Sequence, residues 1–169
     1  MARKDDGILK DKRLIFYSED VEKITKLLEE LLKLSDSKSN ILIDKDGHMI
    51  SKAGHTESYD MQTVRALVAG SFAATREMAR LLGEEEFSIL FHQGKRDNIQ
   101  LTLIGERTIL ATIFDNRTTI GMVRLYTKEI ASKLAKVFKE IEQRKEAPET
   151  MSEDYMDEAR GKLDDFFGD

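Results

Sequence analysis

Between Phe87 and Phe114 three runs rich in β-branched and aromatic residues follow one another: "FSILFH", "NIQLTLI" and "TILATIF". Only "QGKRD" and "GERT" separate them. Linkers this short join neighbouring antiparallel strands and leave no room for a crossover helix. A second pair of apolar runs lies earlier, in "ILIDKDGHMI", around Asp46-Gly47, a dipeptide that accepts the positive φ of a tight hairpin. Five strands linked mostly by hairpins imply an antiparallel sheet.

Helical periodicity fills the remaining space. Val21, Ile24, Leu27, Leu28, Leu31 and Leu32 recur at three- and four-residue steps, after Ser18 as the expected N-cap, and end near "SDSKSN". A second helix is expected from about Asp60, a cap, to Leu82, before Gly83. A long third helix is marked by Ile120, Val123, Tyr126, Ile130, Leu134, Val137, Phe138 and Ile141. The order is αββαβββα, an α+β domain with helices on the faces of a five-stranded antiparallel sheet. "LIFY", before Ser18, reads as a short extra strand or a packed arm.

Past Pro148, in the linker "RKEAPETMS", a last amphipathic segment carries Tyr155, Met156, Ala159, Leu163, Phe166 and Phe167 on one stripe. It either folds back on the body or acts as a tethered helix that docks on a partner. The expected organisation is a charged lead-in over 1–17, a domain over 18–144, and a linker with an acidic C-terminal helix over 145–169.

Charge is uneven. The 169-residue chain carries −5 overall, but eight acids against two bases from Glu149 onward leave the first 148 residues near +1. No concentrated basic face favours nucleic acid. With no cysteine there is no disulfide framework or thiolate chemistry. No apolar run reaches membrane-spanning length, and "MARKDDGILKDKR" lacks a secretory apolar core. A cytoplasmic protein without membrane insertion is expected.

Candidate chemistry is sparse. His48, His55 and His92 hold no metal-ligand spacing, and no phosphate-loop or nucleophile-elbow motif occurs. Asp44 opens a D-x-D, but the sixth position of a calcium loop would need glycine and holds Met49. "FHQGKRDN" reads as a strand end and a turn, with Phe91 inward and Gly94 at the bend. No catalytic residue, metal or cofactor is expected.

The second helix is more informative. At about 100° per residue, Val64, Leu67, Val68, Ala74, Met78 and Leu82 gather on one side, expected to face the sheet. The other side carries Ala66, Ala69, Gly70 and Ala73, bordered by Arg65, Arg76, Glu77 and Arg80. Alanine alone could reflect helix propensity, but a mid-helix glycine costs about 1 kcal/mol. Small residues let another backbone approach, and arginine is enriched at protein contacts. The partner is a second copy, another protein, or both. An arginine at Ala69 or Ala73 is expected to block it.

The element order, with "ILIDKDGHMI", "LVAGSFAATREMARLLGE", "FHQGKRDNIQLTLI" and "LATIFDNRTTIGMVRL", resembles the roadblock family, and within it the bacterial MglB-type proteins. The likeness covers about Tyr17 to Arg144. It implies a homodimer, with strand 87–92 paired edge to edge and helix 60–82 side by side with its copy. It implies that this helix pair is a platform for a small Ras-like GTPase of the MglA type, in a setting of cell polarity. It implies GTPase activation without an inserted arginine, by placing the GTPase's own arginine and glutamine. The tail positions Tyr155, Ala159, Leu163, Phe166 and Phe167 match a C-terminal helix that contacts the GTPase. The alternatives are a scaffold that positions a GTPase or polarity protein without changing its rate, and a small hydrolase or metal enzyme built from His92 and neighbouring acids.

Overall fold

The computed structural model describes residues 14–85, 87–146, 161 and 164–166. Its elements run α1 (Ser18–Ser35), β1 (Ser39–Asp44), β2 (Met49–Gly54), α2 (Met61–Leu82), β3 (Ile89–Gln93), β4 (Asn98–Ile104), β5 (Thr108–Phe114) and α3 (Ile120–Glu146). All pairings are antiparallel, in the order β2-β1-β5-β4-β3. β4 and β5 keep the limits expected from sequence. β3 starts at Ile89 rather than Phe87: as an edge strand it is paired by β4 alone. "LIFY" is not a strand.

Ser18 is the first helical residue of α1, not its cap. Tyr17 takes that place, and its N–H donates to the Asp20 carboxylate over 2.9 Å. A carboxylate reaching back from the first turn satisfies the backbone donor of the cap residue, the second half of a capping box.

Strand alternation divides the sheet into two faces. Ile41, Ala111 and Leu101 sit abreast on β1, β5 and β4, and with Ile43, Ile109 and Ile113 they form a core against Val68 and Phe72 of α2. The opposite face carries Leu42 and Leu110, with Ile24, Leu28 and Leu31 of α1 fully buried. Asn40 Nδ2 donates to the Leu28 carbonyl over 3.3 Å, placing α1 there. Lys133 of α3 pairs with Glu30 of α1 at 2.9 Å, placing α3 beside α1. Helices therefore cover both faces. The body runs from Phe16 to Val137. From Phe138 on, α3 belongs to a separate unit, in which Phe138 and Ile141 are buried.

The β3–β4 turn takes the form expected of "FHQGKRDN". Gly94 N–H donates to Asp97 O over 3.1 Å, and a Cβ at Gly94 would stand 2.4 Å from that oxygen. Only glycine fits this close approach. Phe91 is half-buried, its ring 6.0 Å from that of Phe114.

Candidate functional site

α2 is defined at both ends. Asp60 accepts the Thr63 hydroxyl over 2.7 Å and the Thr63 N–H over 3.3 Å. Those two bonds, the hydroxyl first, hold the Asp60 carboxyl below its ordinary pKa. At the other end Glu84 N–H returns to Ala79 O over 2.9 Å and Gly83 N–H to Arg80 O over 3.2 Å, closing the last turn.

The buried side of α2 differs from the one expected. Val68, Phe72, Thr75 and Ala79 face the sheet, with Met61 and Val64 partly covered. Val68 was placed correctly and Val64 nearly so. Leu67, Ala74, Met78 and Leu82 are instead exposed, Leu67 by 65% and Leu82 by 74%, joined by Leu81 at 77%. Apolar residues occupy two sides of this helix, and a single averaged direction falls between them. Thr75 was hidden by its polarity: its hydroxyl donates to Ser71 O over 2.9 Å, so the buried group is satisfied within the helix.

α2 therefore presents two open strips. One is apolar: Leu67, Met78, Leu81 and Leu82. The other is the small-residue side, where Ala66, Gly70 and Ala73 are exposed beside Arg76, Glu77 and Arg80. A Cβ built on Gly70 meets nothing within 4 Å, so the fold itself does not require glycine there. Arg80 Nε donates to Glu77 Oε1 over 3.1 Å, which fixes one charged pair on the rim.

Arg65 and Ala69 are half-buried, for a reason sequence reasoning missed. The β1–β2 turn is seated on this flank of α2. Gly47, with φ 92°, would direct a Cβ to 3.6 Å from Arg65 O, 3.8 Å from Ala69 Cβ and 3.9 Å from Ala66 Cα. Part of the small-residue pattern thus serves the chain's own hairpin, so an arginine at Ala69 would press on that turn. The signal is non-local and lies in no single stretch of sequence.

The turn is clasped by Asp44, which accepts Asp46 N–H and His48 N–H at 2.9 Å each and faces His48 Nδ1 at 3.2 Å. Asp44, Asp46 and His48 also have potential ligand atoms within 4.8 Å of one another. With its first oxygen holding two backbone donors, Asp44 acts as the staple of the turn. His55 and His92 join no such group among the described residues.

Among the described residues no strand pairs the outer edge of β3, and Ile89 there is 46% exposed. Of the tail positions, Phe166 is helical and 83% exposed; Tyr155, Ala159, Leu163 and Phe167 lie outside the described residues. Among the described residues no helix is long and apolar enough to cross a membrane.

An antiparallel sheet with helices on both faces, one of them bare along its outward side, defines a small α+β domain. The Roadblock/LC7 domain model matches residues 23–114. Myxococcus xanthus MglB is similar, with 40% identity, a TM-score of 0.72, and coverage of 76% of this chain and 96% of that one. The gliding protein MglB of Thermus thermophilus shares 32% identity at a TM-score of 0.70, covering 75% and 96%. An MglB with a tetrameric arrangement shares 31% at 0.70, covering 76% and 96%. No protein with a curated description matches the chain by sequence. The chain belongs to the Roadblock/LC7 family, in its MglB-type branch.

Proposed function

We propose that this protein is a cytoplasmic homodimer that binds a small Ras-like GTPase of the MglA type and stimulates its GTP hydrolysis. The observation that carries the reading is the outward side of α2. A strip of exposed leucine and methionine stands beside a strip with a glycine, Gly70, where a Cβ would meet nothing within 4 Å among the described residues. Burying each large apolar side chain is worth about 1.5–3 kcal/mol. The apolar strip is assigned to the second copy, with the open edge of β3 continuing the sheet into it. The small-residue strip with Arg76, Glu77 and Arg80 is assigned to the GTPase, whose backbone can approach closely at Gly70 and Ala73. The regulator supplies no reacting group. It favours the arrangement of the GTPase in which its own arginine and glutamine stabilise charge during phosphoryl transfer.

The test is single-turnover phosphate release from an MglA-type GTPase with and without saturating regulator. Acceleration is expected, and Ala73→Arg abolishes it while the dimer persists. Binding without acceleration would leave a scaffold that positions the GTPase. Acceleration untouched by Ala73→Arg would remove α2's small-residue side from the contact.

A further inference from the structure

We infer that the β1–β2 turn, Lys45 to His48, is a second element of the GTPase-contacting surface, with Asp46 as its charged contact; this rests on the assignment of the small-residue strip proposed above.

The placement of the turn carries the inference. It lies beside α2: a side chain beginning at Gly47 would reach Arg65 O, Ala69 Cβ and Ala66 Cα at 3.6–3.9 Å. At about 100° per residue, Ala69 and Ala66 stand roughly 60° and 120° round the helix from Phe72, the same sense as Ala73 at about 100°. Met78 and Leu67 stand roughly 120° and 140° round in the opposite sense. The turn therefore borders the small-residue strip and lies across the helix from Leu67, Met78 and Leu82, with Leu81 standing next to Gly70 between the two strips. A second copy seated on Leu67 and Met78 does not approach it. A body seated on Gly70 and Ala73 does, because Ala66 and Ala69 are one helical turn, about 5.4 Å, along the same side. The side chains of that strip stand no taller than a methyl group. A body packed on them comes close to the hairpin turn that borders Ala66 and Ala69.

The tip is built for contact. Lys45, Asp46 and His48 are exposed, while Gly47 is pressed to the helix. The Asp44 carboxylate fixes the backbone by accepting Asp46 and His48 N–H, so binding orders little that is not already ordered. Charge is patterned along the surface: at the tip Asp46 offers an acid beside Lys45, and further along α2 Arg76 offers a base while Arg80 is paired with Glu77. A partner with a basic group at one end of its contact and an acidic one at the other is held in a single orientation. The occupant is the GTPase, with a lysine or arginine facing Asp46.

The experiment uses the full chain and an MglA-type GTPase loaded with a non-hydrolysable GTP analogue. Asp46→Lys keeps Gly47 and the Asp44 clasp. It is expected to weaken binding by about tenfold or more at low salt, with Asp46→Asn intermediate and the difference shrinking as salt rises. Melting temperature and oligomer size stay at wild-type values. Binding by Asp46→Lys within about twofold of wild type, alongside abolition by Ala73→Arg, would overturn the turn's role and leave the α2 reading standing. Loss of the dimer in Asp46→Lys would place the turn against the second copy and overturn it too. If neither variant affects binding, the α2 reading itself fails.

Discussion

Lys38 Nζ donates to Asp97 Oδ1 over 3.0 Å, joining the segment before β1 to the β3–β4 turn across 59 residues of chain. That bond raises the Lys38 pKa above its ordinary 10.5. A raised folded pKa contributes stability at pH values below the unfolded one, and the contribution fades as pH rises through the raised value. Both groups are at the surface, where salt screens them. Lys38→Met is expected to lower the melting temperature slightly at pH 7 and low salt, and not at all in about 1 M NaCl or above the titration of the lysine. Thermal scans at both salt levels check this.

The assignment of α2's faces makes opposite demands on two apolar residues. Phe72 is 2% exposed in the core and Leu81 is 77% exposed. Phe72→Ala is expected to cost about 3–5 kcal/mol in urea denaturation. Leu81→Ala should leave the subunit's own fold intact and weaken the dimer, read as a concentration-dependent shift in sedimentation. Equal destabilisation by the two variants would mean that Leu81 belongs to the subunit core.

Ala69 and Ala73 look interchangeable in sequence but differ in their surroundings. Ala73 is exposed, whereas Ala69 Cβ is 3.8 Å from where a side chain on Gly47 would begin. Ala69→Arg is expected to loosen the β1–β2 turn, seen as faster amide exchange at Asp46 and His48. Ala73→Arg leaves that exchange unchanged and acts only on partner binding.

Much of this fold was legible because its signals are local. Asp46-Gly47 marks a hairpin, Asp60 and Gly83 bracket α2, and β4 and β5 are limited by their short turns. The orientation of α2 was not legible, because leucine registers the same preference for burial whether the cover comes from its own chain or another. Leu67 and Met78 therefore pulled the expected inward side away from Phe72 and Thr75. The seat of Gly47 on α2 joins residues about twenty apart, and nothing in either stretch announces it. Of the expected surface, Ala66, Gly70, Ala73, Arg76, Glu77 and Arg80 are on open ground, and Arg65 and Ala69 are shared with the turn.

Acid stability tests the caps. The Asp60 carboxyl is held below its ordinary 3.8 by Thr63, and that of Asp115 by Arg117, whose Nε donates to it over 3.0 Å. A depressed folded pKa contributes stability above the unfolded value and loses it as pH falls through the folded one. The melting temperature is therefore expected to fall as pH drops below about 4. Asp60→Asn keeps a capping oxygen but cannot titrate, so its acid limb should be shallower, with little change at pH 7. An identical acid limb in Asp60→Asn would remove this cap from the explanation.

Beneath α1 the sheet carries a polar row: Asn40, Thr112 and Gln100 pair abreast on β1, β5 and β4, each fully buried. Among the described residues Thr112 Oγ1 has no hydrogen-bond partner, while Asn40 Nδ2 holds the Leu28 carbonyl over 3.3 Å. Removing an unsatisfied buried hydroxyl by an isosteric change costs little, whereas each intramolecular hydrogen bond lost costs about 0.5–1.5 kcal/mol. Thr112→Val is therefore expected to be neutral or slightly stabilising. Asn40→Leu should destabilise, because it removes the bonds that Nδ2 donates to the Leu28 carbonyl and to Ser37 Oγ, both over 3.3 Å. Urea denaturation of both variants distinguishes the two: a loss in Thr112→Val equal to that in Asn40→Leu would mean the row works as one hydrogen-bonded unit, with Thr112 bridging its neighbours.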